Sequence, residues 1–360
     1  MISLKKLLIL LLLLPINVIA ISAKSSIAMD LDSKRILYEN NSHEKHLIAS
    51  ITKIMTCIVA IENGNLDDIV TIDKDVLKSF GSAIYIMPGE QITLRDLLYG
   101  LMLRSGNDAA IEIANKVAGS MKNFTNLMNI KAQNIGMKDT IFYNNHGLET
   151  KEGKGNISTA YDMALLTKYA MKNKTFKKIF GTKKHIAKTN YRTYSWTNKN
   201  KLLHNQKYIT GGKTGFTKKA RRTLVTTGNK NNLNIVIVTL NDPNDFKDHQ
   251  GLYENIFDKY KKITLINKNN FKIKKDKEYK DKELYIKNNI TLPIKNNERD
   301  KINIIYELEK NNNCINKSKI GLVKIYINNK LINDETIYVN CNKNLKSSFW
   351  QKLIGWFKRW

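Results

Sequence analysis

One pair of residues in this chain has the types and the spacing of a nucleophile and its base. Ser50 and Lys53 lie at the predicted start of a helix, three positions apart, so their side chains share one helix face. A serine hydroxyl attacks a carbonyl only when a nearby base takes its proton, and a lysine can be that base if burial and neighbouring cations lower its pKa. The pair indicates covalent serine chemistry, although a solvated Ser/Lys pair has the same spacing.

Two further clusters contain residues that complete such a site. Ser105 and Asn107, in LRSGNDAA between two apolar helices, could relay a proton and hold a substrate amide. Lys213 and Thr214, in GGKTGFT, could bind a carboxylate at a strand edge, where Gly215 leaves room for close approach. Each cluster alone also fits an ordinary structural role, as a capped helix–helix turn or as a strand after a glycine turn.

Helices and strands between residues 24 and 262 must position these side chains. Apolar residues at helical spacing predict helices over 51–59 (ahead of a stop at Gly64), 94–103, 109–117 and 163–171. Apolar and β-branched runs predict strands over 26–30, 36–38, 224–227 and 235–240, with a turn at Gly228-Asn229. We therefore expect an α+β fold, in which a helical cluster packs beside an antiparallel sheet.

The composition shifts beyond residue 262. Long polar stretches separate short alternating segments, which lie over 302–308, 322–327 and 336–339. Asn328-Asn329 lies between two of them as a hairpin turn. We interpret 266–342 as a small all-β domain; a disordered basic tail is the alternative, which the alternation disfavours.

The last residues, 347–360, have the pattern of a basic amphipathic helix. In SSFWQKLIGWFKRW the Phe, Trp, Leu and Ile side chains fall on one side of a helix, and the Lys, Arg and Gln side chains fall on the other. Such a helix is typical of a segment that lies in a bilayer interface, and it is too short to span the membrane. We expect it to hold the protein on a membrane surface, with docking on the protein itself as the alternative.

The first residues, 1–23, have the pattern of a secretory signal peptide. A basic start precedes an unbroken apolar run over 7–14, and a small-residue cleavage pattern ends at Ala20, with a weaker one ending at Ala23. An uncleaved anchor is the alternative, but the run is shorter than the roughly 20 residues that a spanning helix needs. We therefore expect an exported protein.

The chain is strongly basic. Its 360 residues include 60 Lys and Arg against 32 Asp and Glu, which gives a net charge of +28. This excess indicates a polyanionic neighbourhood, and export favours anionic lipid or wall polymer over nucleic acid. Three widely spaced cysteines, Cys57, Cys314 and Cys341, exclude a dense disulfide scaffold, and the histidines lack metal-binding spacing. We expect no metal and leave open whether Cys314 pairs with Cys341.

The order of the three clusters is more specific than any one of them, and it resembles a known family. IASITKIMT, GSAIYIMPGEQITLRDLLYGLMLRSGNDAA, NNHGL, ISTAYDMALL and GGKTGFT occur in the order seen in D-alanyl-D-alanine carboxypeptidases among the low-molecular-mass penicillin-binding proteins. The resemblance covers roughly residues 24–262. It implies a penicillin-binding/β-lactamase-like transpeptidase fold, action on peptidoglycan pentapeptide stems, inhibition by β-lactams and no cofactor. It also implies a place at the outer face of the cytoplasmic membrane.

The resemblance implies a role for each residue of the first two clusters. Ser50 would be the acylated nucleophile, and Lys53 its general base. Ser105 would shuttle a proton, and Asn107 would bind the peptide backbone of the substrate. For His146 in NNHGL a structural role is favoured over a catalytic one, because the Ser–Lys pair already supplies the base.

The third cluster would bind the end of the substrate. Lys213 would contact the terminal carboxylate, with Thr214 beside it and Gly215 giving access. The backbone N–H groups of Ser50 and Phe216 would form the oxyanion hole. Phe216 departs from the His or Tyr common at this position, which puts the substrate preference in doubt.

Two other functions stay open. A β-lactamase shares the fold and the three clusters, and Glu152 with Asn156 matches the bare spacing of its E-x-x-x-N loop. The position of Asn156 directly before ISTAYDMALL fits the carboxypeptidase pattern better. A non-catalytic wall-binding protein on the same fold is disfavoured because all the residues of the three clusters are present.

Overall fold

The structure is a computed structural model that describes residues 21–150, 153–273, 279–280, 282–309 and 315–341. Several sequence predictions fall outside these residues: the apolar leader, the terminal amphipathic helix over 347–360, Glu152 and Cys314. In the described part of the chain, no helix combines the length and the apolar character needed to cross a membrane.

The described residues form eight α-helices and seventeen strands. The helices are α1 (Lys53–Asn63), α2 (Leu94–Tyr99), α3 (Asn107–Ala118), α4 (Met121–Ile135), α5 (Ala160–Ala170), α6 (Lys174–Phe180), α7 (Lys201–Asn205) and α8 (Asp245–Lys259). The strands before α5 are β1 (Ser25–Asp30), β2 (Ile36–Asn40), β3 (His46–Leu47), β4 (Ile69–Thr71), β5 (Gln91–Thr93) and β6 (Ile157–Ser158). Those after α6 are β7 (Lys184–Lys188), β8 (Thr193–Thr197), β9 (Ile209–Thr217), β10 (Arg221–Lys230), β11 (Leu233–Leu240), β12 (Tyr260–Ile266), β13 (Glu283–Tyr285), β14 (Ile290–Lys295), β15 (Ile302–Leu308), β16 (Lys319–Ile327) and β17 (Lys330–Asn340).

A five-stranded antiparallel sheet with the order β2-β1-β11-β10-β9 forms the centre of the fold. Its side chains alternate between two apolar clusters, since Ile27 and Val236 point to one face and Ala28 and Ile237 to the other. Helices α1 and α5 belong to the first face, and α8 packs on β10 and β11 from the second. The expected α+β class, with a helical cluster beside an antiparallel sheet, is confirmed.

Helix α1 is the central helix of the larger cluster. Its residues from Lys53 to Ala60 are all buried, and it packs against α3, α4 and α5. The helix ends before Gly64, as predicted from the sequence. Burial around the whole circumference explains why its apolar residues are not confined to one stripe.

The structure corrects two local predictions. The turn expected at Gly228-Asn229 lies inside β10, and the chain instead reverses at Asn231-Asn232, both of which have a left-handed backbone (φ 52° and 64°). Asn tolerates this conformation, so an Asn pair can form the tight turn of a hairpin. The helix expected over 94–103 is α-helical only as far as Tyr99 and continues as a π-helical turn over Gly100–Arg104.

The C-terminal region is all β, as expected. Strands β12 and β14 pair with each other, and β13, β17, β16 and β15 form a four-stranded sheet over a third apolar cluster. The Asn328-Asn329 turn joins β16 to β17 with both residues left-handed (φ 51° and 62°), which confirms the predicted hairpin. The sequence predicted the boundary between the two domains at residues 262–266, but strand β12 runs across it. Cys341 is disulfide-bonded, whereas Cys57 is a buried free thiol.

Candidate active site

Ser50 lies in a 3₁₀ turn, Ala49–Thr52, that leads directly into α1. The preceding residue, Ala49, has a left-handed backbone (φ 47°), which is strained for a residue with a Cβ atom. Gly147 packs against this turn so closely that a Cβ atom there would lie 2.0 Å from the Ala49 carbonyl oxygen. The glycine in NNHGL therefore allows the NNHGL loop to support the turn that carries Ser50.

The Lys53 side chain is fully buried and makes three short contacts. Its Nζ lies 3.1 Å from Ser50 Oγ, 2.7 Å from Asn107 Oδ1 and 2.6 Å from the His146 carbonyl oxygen. Burial lowers the pKa of Lys53 well below its usual range, and the charges of Lys213 and Lys199 lower it further.

The contacts of Lys53 define where its protons lie when the amine is neutral. The Asn107 amide oxygen and the His146 carbonyl oxygen can only accept hydrogen bonds, so both N–H groups of the amine point to them. The lone pair then faces the Ser50 hydroxyl at 3.1 Å. This geometry suits proton transfer from the serine to the lysine.

Ser105 and Asn107 lie where the π-helical turn ends and α3 begins. Ser105 has a left-handed backbone (φ 66°), and its buried Oγ has no hydrogen-bond partner among the described residues. Asn107 donates from Nδ2 to the Phe80 carbonyl oxygen at 2.6 Å, which fixes its Oδ1 toward Lys53. The turn thus places one free hydroxyl and one oriented amide beside the nucleophile.

Strand β9 brings the third cluster to the same place. It is an edge strand, so among the described residues one side of its backbone has no strand partner in the sheet. A Cβ atom at Gly215 would lie 2.9 Å from the Ser50 backbone nitrogen, which explains why a glycine is needed there. Lys213 is 2% exposed and donates to the Thr214 carbonyl oxygen at 2.7 Å. Burial, together with the charge of Lys199, lowers the pKa of Lys213 to about 7.

A cavity of about 410 Å³ opens between these elements. Its walls include Ser50, Ser105, Thr214, Gly215 and Phe216 from the sequence-predicted set, and Phe216 is 59% exposed. The cavity walls do not include Lys53, Asn107 and Lys213, which are buried. A larger cavity, about 920 Å³, is lined by Asn107, His146 and residues of α3, and among its described lining residues no hydrogen bond joins a serine to a lysine or histidine.

The cavity also contains residues that the sequence did not single out. Lys199 lines it and lies 3.1 Å from the hydroxyl of Ser82, another lining residue. Arg222 and Asp245 line it as an ion pair, 2.6 Å apart. The sequence did not single out Lys199, because the chain has 60 Lys and Arg residues and the segment around it, NKNKLL, is not one of the motifs that carried the resemblance.

Two residues near the site have supporting contacts. His146 accepts a hydrogen bond from the Leu148 N–H at Nδ1, and burial lowers its pKa to about 3, so the ring is neutral. Asn156 is buried, accepts from the Tyr143 and Asn144 N–H groups and donates to the Thr52 hydroxyl. Asn156 therefore ties the NNHGL loop to the turn that carries Ser50.

Comparison with known proteins gives consistent matches. Residues 15–244 match the family described as Peptidase_S11, D-alanyl-D-alanine carboxypeptidase. The chain is 35% identical over 226 residues to D-alanyl-D-alanine carboxypeptidase DacF of Bacillus subtilis, a match that covers 61% of this chain and 57% of that one. It is 34% identical over 238 residues to DacC of Escherichia coli, covering 63% and 58%. The matched region thus spans less than three-fifths of either relative.

Solved structures of proteins of this kind also match, and one of these matches covers most of the chain. Penicillin binding protein 5 from Haemophilus influenzae is similar with a TM-score of 0.77 and 26% identity, over 89% of this chain and 97% of that one. A D-alanyl-D-alanine carboxypeptidase from Mycobacterium tuberculosis is similar with a TM-score of 0.62 and 28% identity, over 67% and 94%. With the family match spanning more than half of its residues, this chain belongs to the Peptidase_S11 family of D-alanyl-D-alanine carboxypeptidases.

Proposed function

We propose that this protein is a serine-type D-Ala-D-Ala carboxypeptidase that removes the terminal D-alanine from peptidoglycan pentapeptide stems through an acyl-enzyme on Ser50. The observation that carries the proposal is the environment of Lys53. A fully buried amine contacts two acceptors that cannot protonate it and one serine hydroxyl at 3.1 Å. Such an amine acts as a base at neutral pH.

In the acylation step the Ser50 hydroxyl transfers its proton to Lys53 and attacks the carbonyl carbon of the penultimate D-alanine. The backbone N–H groups of Ser50 and Phe216 stabilise the oxyanion, and removal of one such donor costs about 3–4 kcal/mol in comparable enzymes. Ser105, whose buried hydroxyl lacks a partner among the described residues, passes a proton to the leaving amine. The Ser50 ester forms as the peptide C–N bond breaks.

The carboxylate of the leaving D-alanine binds against Thr214 and Lys199, which line the cavity, and next to the buried Lys213, whose Nζ lies at the Thr214 carbonyl oxygen. Lys213 has a pKa of about 7 in the unliganded site, so it carries a proton on only part of the molecules at neutral pH. A bound carboxylate raises this pKa through its opposite charge, so carboxylate binding and protonation of Lys213 favour each other. This coupling favours substrates with a free C-terminus.

The same nucleophile would open a β-lactam ring, and we expect the resulting ester to be long-lived. The carboxylate of Asp245 lines the cavity, but it is paired with Arg222 at 2.6 Å. Asn156, the second member of the E-x-x-x-N spacing, is used in hydrogen bonds to the NNHGL loop and α1 turn. These contacts favour a penicillin-sensitive carboxypeptidase over a β-lactamase.

Mass spectrometry of the protein after benzylpenicillin, together with D-alanine release from a pentapeptide, tests the proposal. We expect a stable adduct on the peptide containing Ser50 and release of one D-alanine per substrate molecule. Ser50→Ala should abolish both, and Ser82→Ala, which alters another cavity hydroxyl, should still form the adduct. Rapid loss of the adduct would favour a β-lactamase, and absence of both activities would favour a wall-binding protein.

We also propose that the protein is exported and held on the outer face of the cytoplasmic membrane by residues 347–360. The apolar leader and the basic amphipathic terminus in the sequence support this placement. Each basic residue near an anionic surface contributes about 1 kcal/mol to binding. Truncation after Lys346 should leave activity unchanged and abolish binding to anionic vesicles. Equal vesicle binding by both forms would exclude the anchor.

A further inference from the structure

Two buried carboxyl groups lie beneath the first described residues of the chain. Asp242 is fully buried and Asp248 is 6% exposed. The hydroxyl oxygen of Ser22 lies 2.8 Å from Asp242 Oδ1 and 2.7 Å from Asp248 Oδ2. The Ser22 backbone N–H also donates to Asp248 Oδ2, at 2.6 Å. Residue 22 thus covers the carboxyl pair from the solvent side.

This arrangement lacks a positive charge, and its hydroxyl cannot satisfy both carboxylates, although the Asn244 backbone N–H also donates to Asp242 Oδ1 at 3.0 Å. One hydroxyl has one hydrogen and cannot donate to both carboxylates at once. The second oxygen of Asp242, Oδ2, is buried and has no hydrogen-bond partner among the described residues. Buried carboxylates of this kind are normally paired with a cation.

The charged groups around the pair do not supply this cation. Arg222 pairs with Asp245, and no ion pair to Asp242 or Asp248 occurs in the described part of the chain. His249 on the same helix bonds two threonine hydroxyls, and burial lowers its pKa to about 3, so it is neutral. Burial, with the adjacent Asp248, raises the pKa of Asp242 to about 6.

Ile21 places a backbone nitrogen close to this pair. Its half-buried side chain packs against the apolar cluster under α8, so the residue is docked on the domain. Consecutive backbone nitrogens are at most about 3.7 Å apart, and the Ser22 nitrogen lies 2.6 Å from Asp248 Oδ2, so the Ile21 nitrogen lies no more than about 6.3 Å from this oxygen. In a longer chain this nitrogen is an uncharged amide. At a free terminus it is an ammonium.

We propose that hydrolysis of the Ala20–Ile21 peptide bond creates the missing cation, and that the α-ammonium of Ile21 pairs with Asp242 and Asp248 in the mature protein. An endopeptidase specific for small residues adds water across the bond, leaving a carboxylate on Ala20 and an amine on Ile21, which takes a proton from solvent. This inference rests on the export proposed above. Cleavage after Ala23, the weaker pattern, would instead remove Ile21 and Ser22 and all their contacts.

A backbone hydrogen bond would connect the ion pair to the wall of the catalytic cavity. The Asp242 N–H donates to the Arg222 carbonyl oxygen at 3.0 Å, and Arg222 and Asp245 line the cavity. Removal of the leader would therefore stabilise the exported, folded enzyme next to its active site.

The first test is the N-terminus of the mature protein. The full chain is expressed with its leader in a host that exports it, and the mature protein is analysed by intact mass and N-terminal sequencing. The expected first residue is Ile21. A first residue of Lys24, or an uncleaved chain, overturns the proposal.

The second test compares melting temperatures of residues 21–360 with a free Ile21 amine and with a Gly-Gly extension that turns this amine into an amide. At pH 7 the free-amine form should melt about 2–4 °C higher. Asp242→Asn should abolish the difference, and Asp258→Asn, on the same helix but away from the pair, should preserve it. Equal melting temperatures at pH 7 overturn the proposal.

The pH dependence of this difference has a defined sign. A paired ammonium has a pKa above its unfolded value of about 8, so its contribution is present below that pH and is lost as the pH rises through the folded pKa. On the acid side the contribution fades below about pH 6, where Asp242 takes up a proton. The difference should thus be largest between about pH 6 and 8. Neither readout uses D-alanine release, so failure here leaves the proposed activity untouched.

Discussion

The catalytic region and the junction with the C-terminal sheet bury positive charge in opposite ways. At the junction, Arg35 is 6% exposed, contacts the Glu298 carboxylate at 2.7 Å and donates to the Pro293 carbonyl oxygen. In the catalytic region, Lys53 is fully buried and contacts only neutral groups. The arginine has an anionic partner, whereas in the described part of the chain no carboxylate lies within ion-pair distance of the lysine.

This difference separates a structural cation from a reactive one. A buried charge with a charged partner fixes two parts of a chain relative to each other and does not titrate near neutral pH. A buried amine with neutral partners and two cationic neighbours, Lys213 and Lys199, has its pKa lowered well below the usual range, as the proposed role of a base requires. The following predictions test the comparison.

The largest effect is expected for Lys53→Arg. A guanidinium stays protonated in a protein and cannot accept the Ser50 proton. We expect acylation by benzylpenicillin to fall by about 10⁴-fold or more, the loss typical of removing one member of a nucleophile–base pair. The measurement is the time course of adduct formation by mass spectrometry. Lys201→Arg, in the same cavity, is the matched control, and acylation of Lys53→Arg at the control's rate would exclude lysine as the base.

Breaking the junction pair should affect stability and leave the chemistry intact. Arg35→Met leaves the Glu298 carboxylate, which is 13% exposed, without its cationic partner, which costs at most about 3–5 kcal/mol in free energy of unfolding. We expect a lower urea midpoint and an unchanged kcat. Adding Glu298→Leu should recover part of the loss, because the unpaired charge is then gone. If Arg35→Met lowers kcat without lowering the urea midpoint, Arg35 acts on the chemistry, and the comparison between a structural and a reactive cation fails.

Lys213 is intermediate between the structural cation Arg35 and the reactive amine Lys53, and the pH dependence of activity should show this. Its pKa of about 7 means that the protonated form, which binds a carboxylate, is lost as the pH rises through 7. Lys53 must be neutral, so activity also falls toward acid pH. We expect a bell-shaped profile of kcat/KM with its alkaline limb near pH 7, while the limb in kcat lies higher because bound carboxylate raises the pKa of Lys213.

A substitution at Lys213 identifies the alkaline limb. Lys213→Arg keeps a cation at every accessible pH, so the limb should disappear even if activity falls. Lys213→Ala should reduce kcat/KM for a free D-Ala-D-Ala end by about 10–150-fold, the value of a charge-assisted hydrogen bond. An alkaline limb that survives in Lys213→Arg would assign it to another group.

Much of the fold could be predicted because burial patterns are local in sequence. The strand β1 and the helix α1 follow from apolar spacing, and Gly64 ends α1 as expected. The turn predicted at Gly228 was wrong because this glycine is needed for close packing. A Cβ atom there would lie 2.6 Å from the Tyr253 ring. A sequence does not distinguish a glycine that allows a turn from one that makes room for a ring.

The site could be predicted only where its residues fall in recognisable clusters. Ser50, Ser105 and Thr214 come from three distant segments and line one cavity. Lys199 and the Arg222–Asp245 pair line it too, but they come from segments whose composition matches the rest of a lysine-rich surface. Their role depends on distances that only the folded chain defines.

Lys199 gives the smallest and most specific expected effect. Its charge lowers the pKa of both Lys53 and Lys213, so Lys199→Gln should raise both values and move the whole bell-shaped profile to higher pH. A single charge at the edge of a solvated cavity acts through a high effective dielectric, so the shift should be less than about one pH unit. Lys201→Gln removes a charge from the same cavity that is not among the charges lowering the pKa of either lysine, and it should leave the profile in place. If the two variants shift the profile equally, its position reflects the total positive charge of the cavity, and the particular place of Lys199 has no importance.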